Sequence, residues 1–178
     1  MKYLPLGEIV EVLDKLRKPV SKKNRIAGKY PYYGATGIVD YIDDFIFDEE
    51  LVLVGEDGAK WKSMEKTAFI ISGKTWVNNH AHVLRPNNEV IQNKFLVYYL
   101  NFKDLSEFVT GVTVPKLNQE RLRSIPIPIL TLKNQNETIL YLDEVFEKIE
   151  VKKDIHSQTI EKLEVLKKSL LNKIFENE

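Results

Sequence analysis

Over its first two thirds the chain alternates apolar and polar positions in short bursts, and then its period changes. GIVDYID (37–43), ELVLVGEDG (50–58), TAFIISG (67–73) and AHVLRP (81–86) are rich in Val, Ile, Phe and Tyr and bounded by Gly, Asp, Asn or Pro. That pattern predicts strands separated by turns. Across 90–108 the period lengthens, with Phe95, Tyr98, Tyr99, Phe102 and Leu105 at helical spacing, which predicts one amphipathic helix packing its aromatics on the sheet. In SIPIPIL (124–130) two prolines in an alternating apolar context end any helix and impose an extended strand or connector.

From 137 to 175 there is no Gly and no Pro, and Glu, Lys, Leu and Ile dominate, as a continuous helix requires. Leu142, Ile149, His156, Leu163 and Leu170 stand seven apart, with Val145, Phe146, Ile160, Leu166 and Ile174 flanking the line. This is a heptad seam. At 1.5 Å per residue the helix would be about 58 Å long, and the chain offers no second helix of that length to cover it. A coiled coil between chains is therefore expected, with Leu142, Ile149, His156, Ile160, Leu163, Leu166, Leu170 and Ile174 as dimerisation residues. His156, Lys152 and Lys173 would weaken the seam or fix its register. The fold class is α/β (α+β), a small twisted sheet with packed helices followed by one long C-terminal helix.

Composition narrows the function. With 178 residues, 43% hydrophobic and 29% charged, the chain suits one core plus an appendage. It has no cysteine, which excludes disulfides, thiolate metal sites and a cysteine nucleophile. No apolar run approaches a membrane span, and Met1 leads into KYLPLGEIV without a secretory apolar core, so a cytoplasmic protein with no membrane partner is expected. Net charge is zero, 26 basic against 26 acidic residues, yet the charge is segregated. KLRKPVSKKNRIAGK (15–29) holds seven basic residues and no acid, and 40–50 holds six acids and no base. A phosphate backbone meets a local face rather than a total, so DNA binding stays open beside the simpler reading of a solvated loop.

Catalytic patterns fail individually. Asp48, Glu49, Glu50, Glu56 and Asp57 near Lys60 invite a metal-dependent nuclease, but Gly58 stands two before Lys60, where a carboxylate would have to share its strand face. His80 and His82 alternate to one face of an expected strand without a third ligand at a telling spacing, which favours structural roles. No dinucleotide fingerprint, phosphate-cradling loop or serine elbow is present. What remains is polar and basic loop material: Lys60, Trp61 and Lys62 in GEDGAKWKS; Lys74, Thr75, Asn78 and Asn79 in SGKTWVNNHAH; Thr113 and Lys116 in TGVTVPKLN. Such side chains suit phosphates and base edges, and they equally suit turns.

KYPYYGATGIVDYIDDFIFDEELVLVGEDGA, VNNHAHVLRP, the aromatic helix, GVTVPKLNQERLRSIPIPI and LYLDEVFEKIE running into KLEVLKKSLLNKIF occur in that order. Together they resemble the specificity subunit of type I restriction-modification systems. The resemblance implies a DNA target-recognition domain over 1–130 and a linker with a long coiled-coil helix over 131–178. It implies no catalysis and no cofactor or metal. It also implies docking of adenine methyltransferase (modification) subunits and, through them, the restriction subunit. Full members carry two recognition domains and two helical regions, whereas this sequence has one of each and resembles a half subunit. Two copies joined by antiparallel helices would read a palindromic bipartite site in double-stranded DNA. On this reading Lys22, Lys23, Arg25 and Lys116 grip phosphates, and Lys60, Lys62, Lys74, Thr75, Asn78, Asn79 and Thr113 supply the reading loops. The alternative is an interaction protein that dimerises and occupies the methyltransferase surface without reading DNA.

Overall fold

A computed structural model describes residues 2–175. The described residues fall into two compact units, one ending at Asn136 and one beginning at Glu137. In chain order the first unit contains β1 (Lys2–Pro5), α1 (Leu6–Ile9), β2 (Val10–Val12), β3 (Ala27–Gly34), β4 (Gly37–Ile42), β5 (Phe47–Asp48), β6 (Leu51–Gly55), β7 (Ala68–Ile71), β8 (Lys74–Val77), β9 (Ala81–Pro86), α2 (Asn93–Phe102), α3 (Gln119–Ser124) and β10 (Pro126–Ile129); α4 (Leu132–Phe175) begins in it and makes up the second.

The expected single sheet is two four-stranded sheets and a ribbon. One sheet has the order β2-β9-β6-β7, the other β4-β3-β8-β5, and β1 pairs with β10 alone. β6 explains the layering: all five of its residues are buried, as befits a strand with neighbours on both edges and cover on both faces. Leu51 and Leu53 join Ile71 and Val83 against Phe47 and Val77 of the other sheet, with Leu13 and Ala81 completing a fully apolar cluster. On the opposite face, Val54 stands beside His82 in register. α2 covers this sheet along β6 and β7, burying Phe95, Leu96 and Leu100.

Several boundaries differ from the sequence expectation for identifiable reasons. The helix expected over 90–108 is α2 alone, since Lys103 turns extended and the Asp104 carboxylate accepts from Ser106 N–H at 2.8 Å, a local bond that competes with helix continuation. Phe102 is consequently exposed, whereas Leu105 is buried in the following turn. The prolines of SIPIPIL sit in β10, which pairs antiparallel with β1; a two-stranded edge ribbon tolerates residues that cannot donate. The β3–β4 connection turns at Gly37, whose φ of +136° is open to glycine. Tyr32 is buried beside it while Tyr41 is exposed.

α4 starts five residues before the sequence suggested. Gln135, wholly buried, explains the early start. Its Oε1 accepts from Gln92 N–H at 2.8 Å, and its Nε2 donates to the carbonyls of Val90 at 2.8 Å and Leu130 at 3.0 Å. The amide thus ties the first helical turn to the loop before α2. At 44 residues α4 is about 66 Å long. Next to it α2, with ten residues, is the longest other helix among the described residues. No described helix is long and apolar enough to cross a membrane.

Candidate nucleic-acid interface

Two loops, 56–66 after β6 and 110–117 before α3, are stitched together by the backbone. Thr110 and Lys116 exchange hydrogen bonds at 2.8 and 2.9 Å, and Leu117 N–H donates to the Glu56 carbonyl at 2.8 Å. Between those anchors Gly111, Val112, Thr113, Val114 and Pro115 are all exposed. Gly111 has φ +91°, and a Cβ there would stand 2.5 Å from the Val114 carbonyl oxygen; only glycine permits this tight lasso. Lys60, Trp61 and Lys62 line a shallow depression with Gly111 and Pro115. Trp61 braces it, donating from Nε1 to the Gly55 carbonyl at 3.1 Å and accepting from Leu105 N–H at 2.7 Å.

Beneath these loops lies a charged cluster that sequence reading missed. His82, on β9 and fully buried, has Nδ1 2.6 Å from Asp14 Oδ2 and Nε2 2.6 Å from the Leu117 carbonyl oxygen. Asp14 also accepts from Val83 N–H at 2.9 Å and Gln119 Nε2 at 3.0 Å. Burial alone would raise the Asp14 pKa; the hydrogen bond and charge of His82, with the Gln119 and Val83 donors, outweigh it and hold the carboxyl below its ordinary value. Glu56 accepts from Arg17 Nη1 at 2.5 Å through Oε2 and from Lys116 Nζ at 2.9 Å through Oε1. The Glu56 hydrogen bond, more than its charge, raises the Lys116 pKa. Arg17 also donates to the carbonyls of Ala81 at 2.7 Å and Asn79 at 3.4 Å.

Asp14, Glu56 and His82 offer ligand atoms within 4.8 Å of one another, a grouping that could suggest a metal centre. Both carboxylates already face Arg17, Lys116 or His82, so the positive charge is supplied by side chains. The cluster is an ion-pair network. His80 and His82 do not share a strand face as expected: His80 lies in the turn before β9, half-exposed, with Nδ1 2.5 Å from Asp57 Oδ1.

The sequence-named contact residues separate by environment. Lys22, Lys23, Lys60, Lys62, Asn79 and Thr113 are exposed. Arg25 is engaged within the fold: it donates to Asp40 at 3.0 Å and to the Val20 carbonyl at 3.0 Å, and its guanidinium lies 4.4 Å from the Tyr32 ring centroid. Its hydrogen bond is the main cause that lowers the Asp40 pKa. Lys74 stands 4.7 Å over the Phe45 ring. Thr75 and Asn78 are buried, the latter accepting from His80 N–H at 2.8 Å as an Asx turn. The structure therefore brings Lys60, Lys62, Thr113 and Lys116 together on adjoining loops, while Lys22 and Lys23 occupy a separate turn, Lys22–Asn24, leading into β3.

Along α4, Ile149, Ile160, Leu163, Leu166, Leu170 and Ile174 are between 41% and 67% exposed. These positions lie on the helix surface, with Leu142 half-buried and His156 exposed among them. No other described residue of their own unit covers them, because the unit is the helix.

Comparison with known proteins bears on both units. A protein of Haemophilus influenzae named a type I restriction enzyme specificity subunit is 36% identical over 143 residues, covering 80% of this chain and 37% of that protein. Among solved structures, the HsdS subunit of Thermoanaerobacter tengcongensis matches with TM-score 0.65 at 17% identity, over 99% of this chain and 45% of that one. The S subunit of M. genitalium matches with TM-score 0.62 at 19% identity, over 98% and 45%. A chain from a study of type I R-M complex assembly and conformational transition reaches TM-score 0.75 at 17% identity, over 97% and 45%. The chain thus spans less than half the length of these relatives. The family model described as the type I restriction modification DNA specificity domain matches residues 1–162, and the chain belongs to that family.

Proposed function

We propose that the chain is a non-catalytic DNA-reading half subunit. Its first unit reads one half-site, and its helix pairs with that of a second copy, antiparallel, to set the separation between two half-sites. The observation that carries this is the apolar stripe of α4, from Ile149 to Ile174, exposed along a helix that no other described residue of its own unit covers. A stripe of this kind is covered by another helix with the same repeat, and two identical units so joined present their loops around a twofold axis. Exposed Lys22, Lys23, Lys60 and Lys62 supply phosphate contacts, which dominate affinity and make it salt-dependent. Methyltransferase subunits, and through them the restriction subunit, are the partners such a dimer would direct, and the methyl transfer belongs to them.

The test is a genome-wide map of methylated adenines in cells expressing this chain with its cognate methyltransferase. A palindromic bipartite motif is expected. An asymmetric motif would replace the homodimer with two different halves, and loss of all motif-specific methylation would favour a partner-occupying role. That second reading draws on one observation: several cations of the recognition unit, Arg17, Arg25 and Lys116, are already paired with acids.

A further inference from the structure

Lys116 looks from the sequence like a phosphate contact, yet its ammonium is bound to Glu56, the residue on which the buried network converges. We infer that the Gly111–Pro115 lasso is a preorganised base-reading finger. Glu56, His82 and Lys116 are its positioning residues: they fix where the finger stands and do not touch DNA. This rests on the DNA-reading proposal and sharpens it.

Three features carry the inference. First, both ring nitrogens of the buried His82 are engaged, Nδ1 with the Asp14 carboxylate and Nε2 with the Leu117 carbonyl, so the ring is fixed at both ends. One of those bonds ends on Leu117, the C-terminal root of the finger. Second, the other root is closed by the Thr110–Lys116 exchange, and the Lys116 ammonium is held by Glu56, whose second oxygen holds Arg17. Glu56 is 7% exposed and His82 fully buried, so a rigid base sits under a solvated tip. Third, the tip displays Val112 and Thr113, an apolar group and a hydroxyl suited to a thymine methyl and a base edge, beside the depression walled by Lys60 and Lys62. A side chain that reads bases must be held by a second layer of satisfied bonds, and this network is such a layer.

The experiment uses the full chain. A duplex motif is first enriched from a random-sequence pool by the wild-type protein. Equilibrium affinity for that duplex and for a scrambled one is then measured over a salt series for Glu56→Gln, Lys116→Met, Lys116→Arg and Thr113→Ala. If the finger is positioned as inferred, Glu56→Gln and Lys116→Met each lose about tenfold or more of the preference for the enriched duplex, the size of a base-contact loss. Scrambled-duplex affinity and the salt slope should hold, Lys116→Arg should restore the preference by re-forming the pair with Glu56, and Thr113→Ala should relax one motif position without touching the network.

A phosphate role for Lys116 predicts the opposite signs. Lys116→Met would then weaken both duplexes alike and reduce the salt slope by about one, and Glu56→Gln, by releasing the ammonium, would strengthen both; either result overturns the inference. Unchanged preference in Glu56→Gln and Lys116→Met, shown folded by tryptophan emission, overturns it as well. A wild-type chain that enriches no motif overturns the DNA-reading proposal itself, a result distinct from an enriched motif that survives the substitutions.

Discussion

Leu53 of β6 and Leu163 of α4 are the same side chain in opposite circumstances: one has no exposed surface, the other is 58% exposed. The first belongs to a unit that folds around its own core, closed at the ends by pairing of β1 with β10. The second belongs to a helix whose apolar groups have nothing of their own unit to cover them. Burying a leucine is worth roughly 1.5–3 kcal/mol. The first unit collects that gain internally, and the helix, on the proposed reading, collects it by pairing with a second copy. The two units should therefore respond differently to protein concentration, and substitutions can break that contrast or sharpen it.

The largest expected loss comes from the network under the 56–66 and 110–117 loops. Asp14→Ala strips the buried His82 ring, the Val83 N–H and the Gln119 amide of their shared acceptor, and each buried polar group left unsatisfied costs roughly 1–3 kcal/mol. Both tryptophans, Trp61 and Trp76, lie in the first unit, so denaturant unfolding followed by their fluorescence should show the loss, and show it equally at low and high protein concentration. Because the Asp14 pKa is depressed in the fold, its contribution is present above the ordinary carboxylate value near about 3.9. It drains away as pH falls through the lower folded value. The wild-type fluorescence midpoint should fall over that acid range, and Asp14→Ala should lack this part of the decline. A midpoint within experimental scatter of wild type would show that the network contributes no stability.

A change to the second unit should leave that fluorescence transition alone. Leu163→Glu combined with Leu170→Glu puts charges on the seam and is expected to give monomers by sedimentation, with far-UV helix signal that melts earlier and no longer depends on concentration. A dimer surviving both substitutions would move the interface off the heptad line. Val151, two residues past Ile149 and about 200° round the helix, Ile155 and Val165 are among the exposed apolar residues there.

How much of this was legible in the sequence depends on the range of the determining interactions. The strands at 37–43, 50–58, 67–73 and 81–86 announced themselves because alternation and turn residues are local, and α4 because its heptads are. Division into two sheets was not legible: β3 pairs parallel with β8, more than forty residues on, and nothing local encodes that choice. Loop chemistry was legible by type and not by partner. Lys116 and Arg25 read as free cations because Glu56 and Asp40, their acceptors, are remote in sequence. Asp14, 68 residues before His82, gave no signal at all, although an apolar strand interrupted by one histidine, AHVLRP, was a sign that something polar had to meet it. Gln135 stood out by no local pattern, and its role emerged only from three backbone partners in loops on either side.

The smallest effect on stability, and the finest test of the recognition unit, lies within the basic run itself. Lys22 and Lys23 are exposed in the turn before β3, whereas Arg25, two residues on, is tied to Asp40, Val20 and the Tyr32 ring. Lys22→Ala with Lys23→Ala should leave the tryptophan unfolding midpoint unchanged while weakening binding to selected and scrambled duplexes alike. Each lost phosphate contact should reduce the slope of log affinity against log salt by about 0.9. Arg25→Ala should do the reverse, lowering the unfolding midpoint with little change in salt slope, because its charge is already used within the fold. If the lysine pair instead proves silent in a low-salt titration, the turn is not on the DNA face, and the phosphate contacts must come from the Lys60 and Lys62 side of the unit.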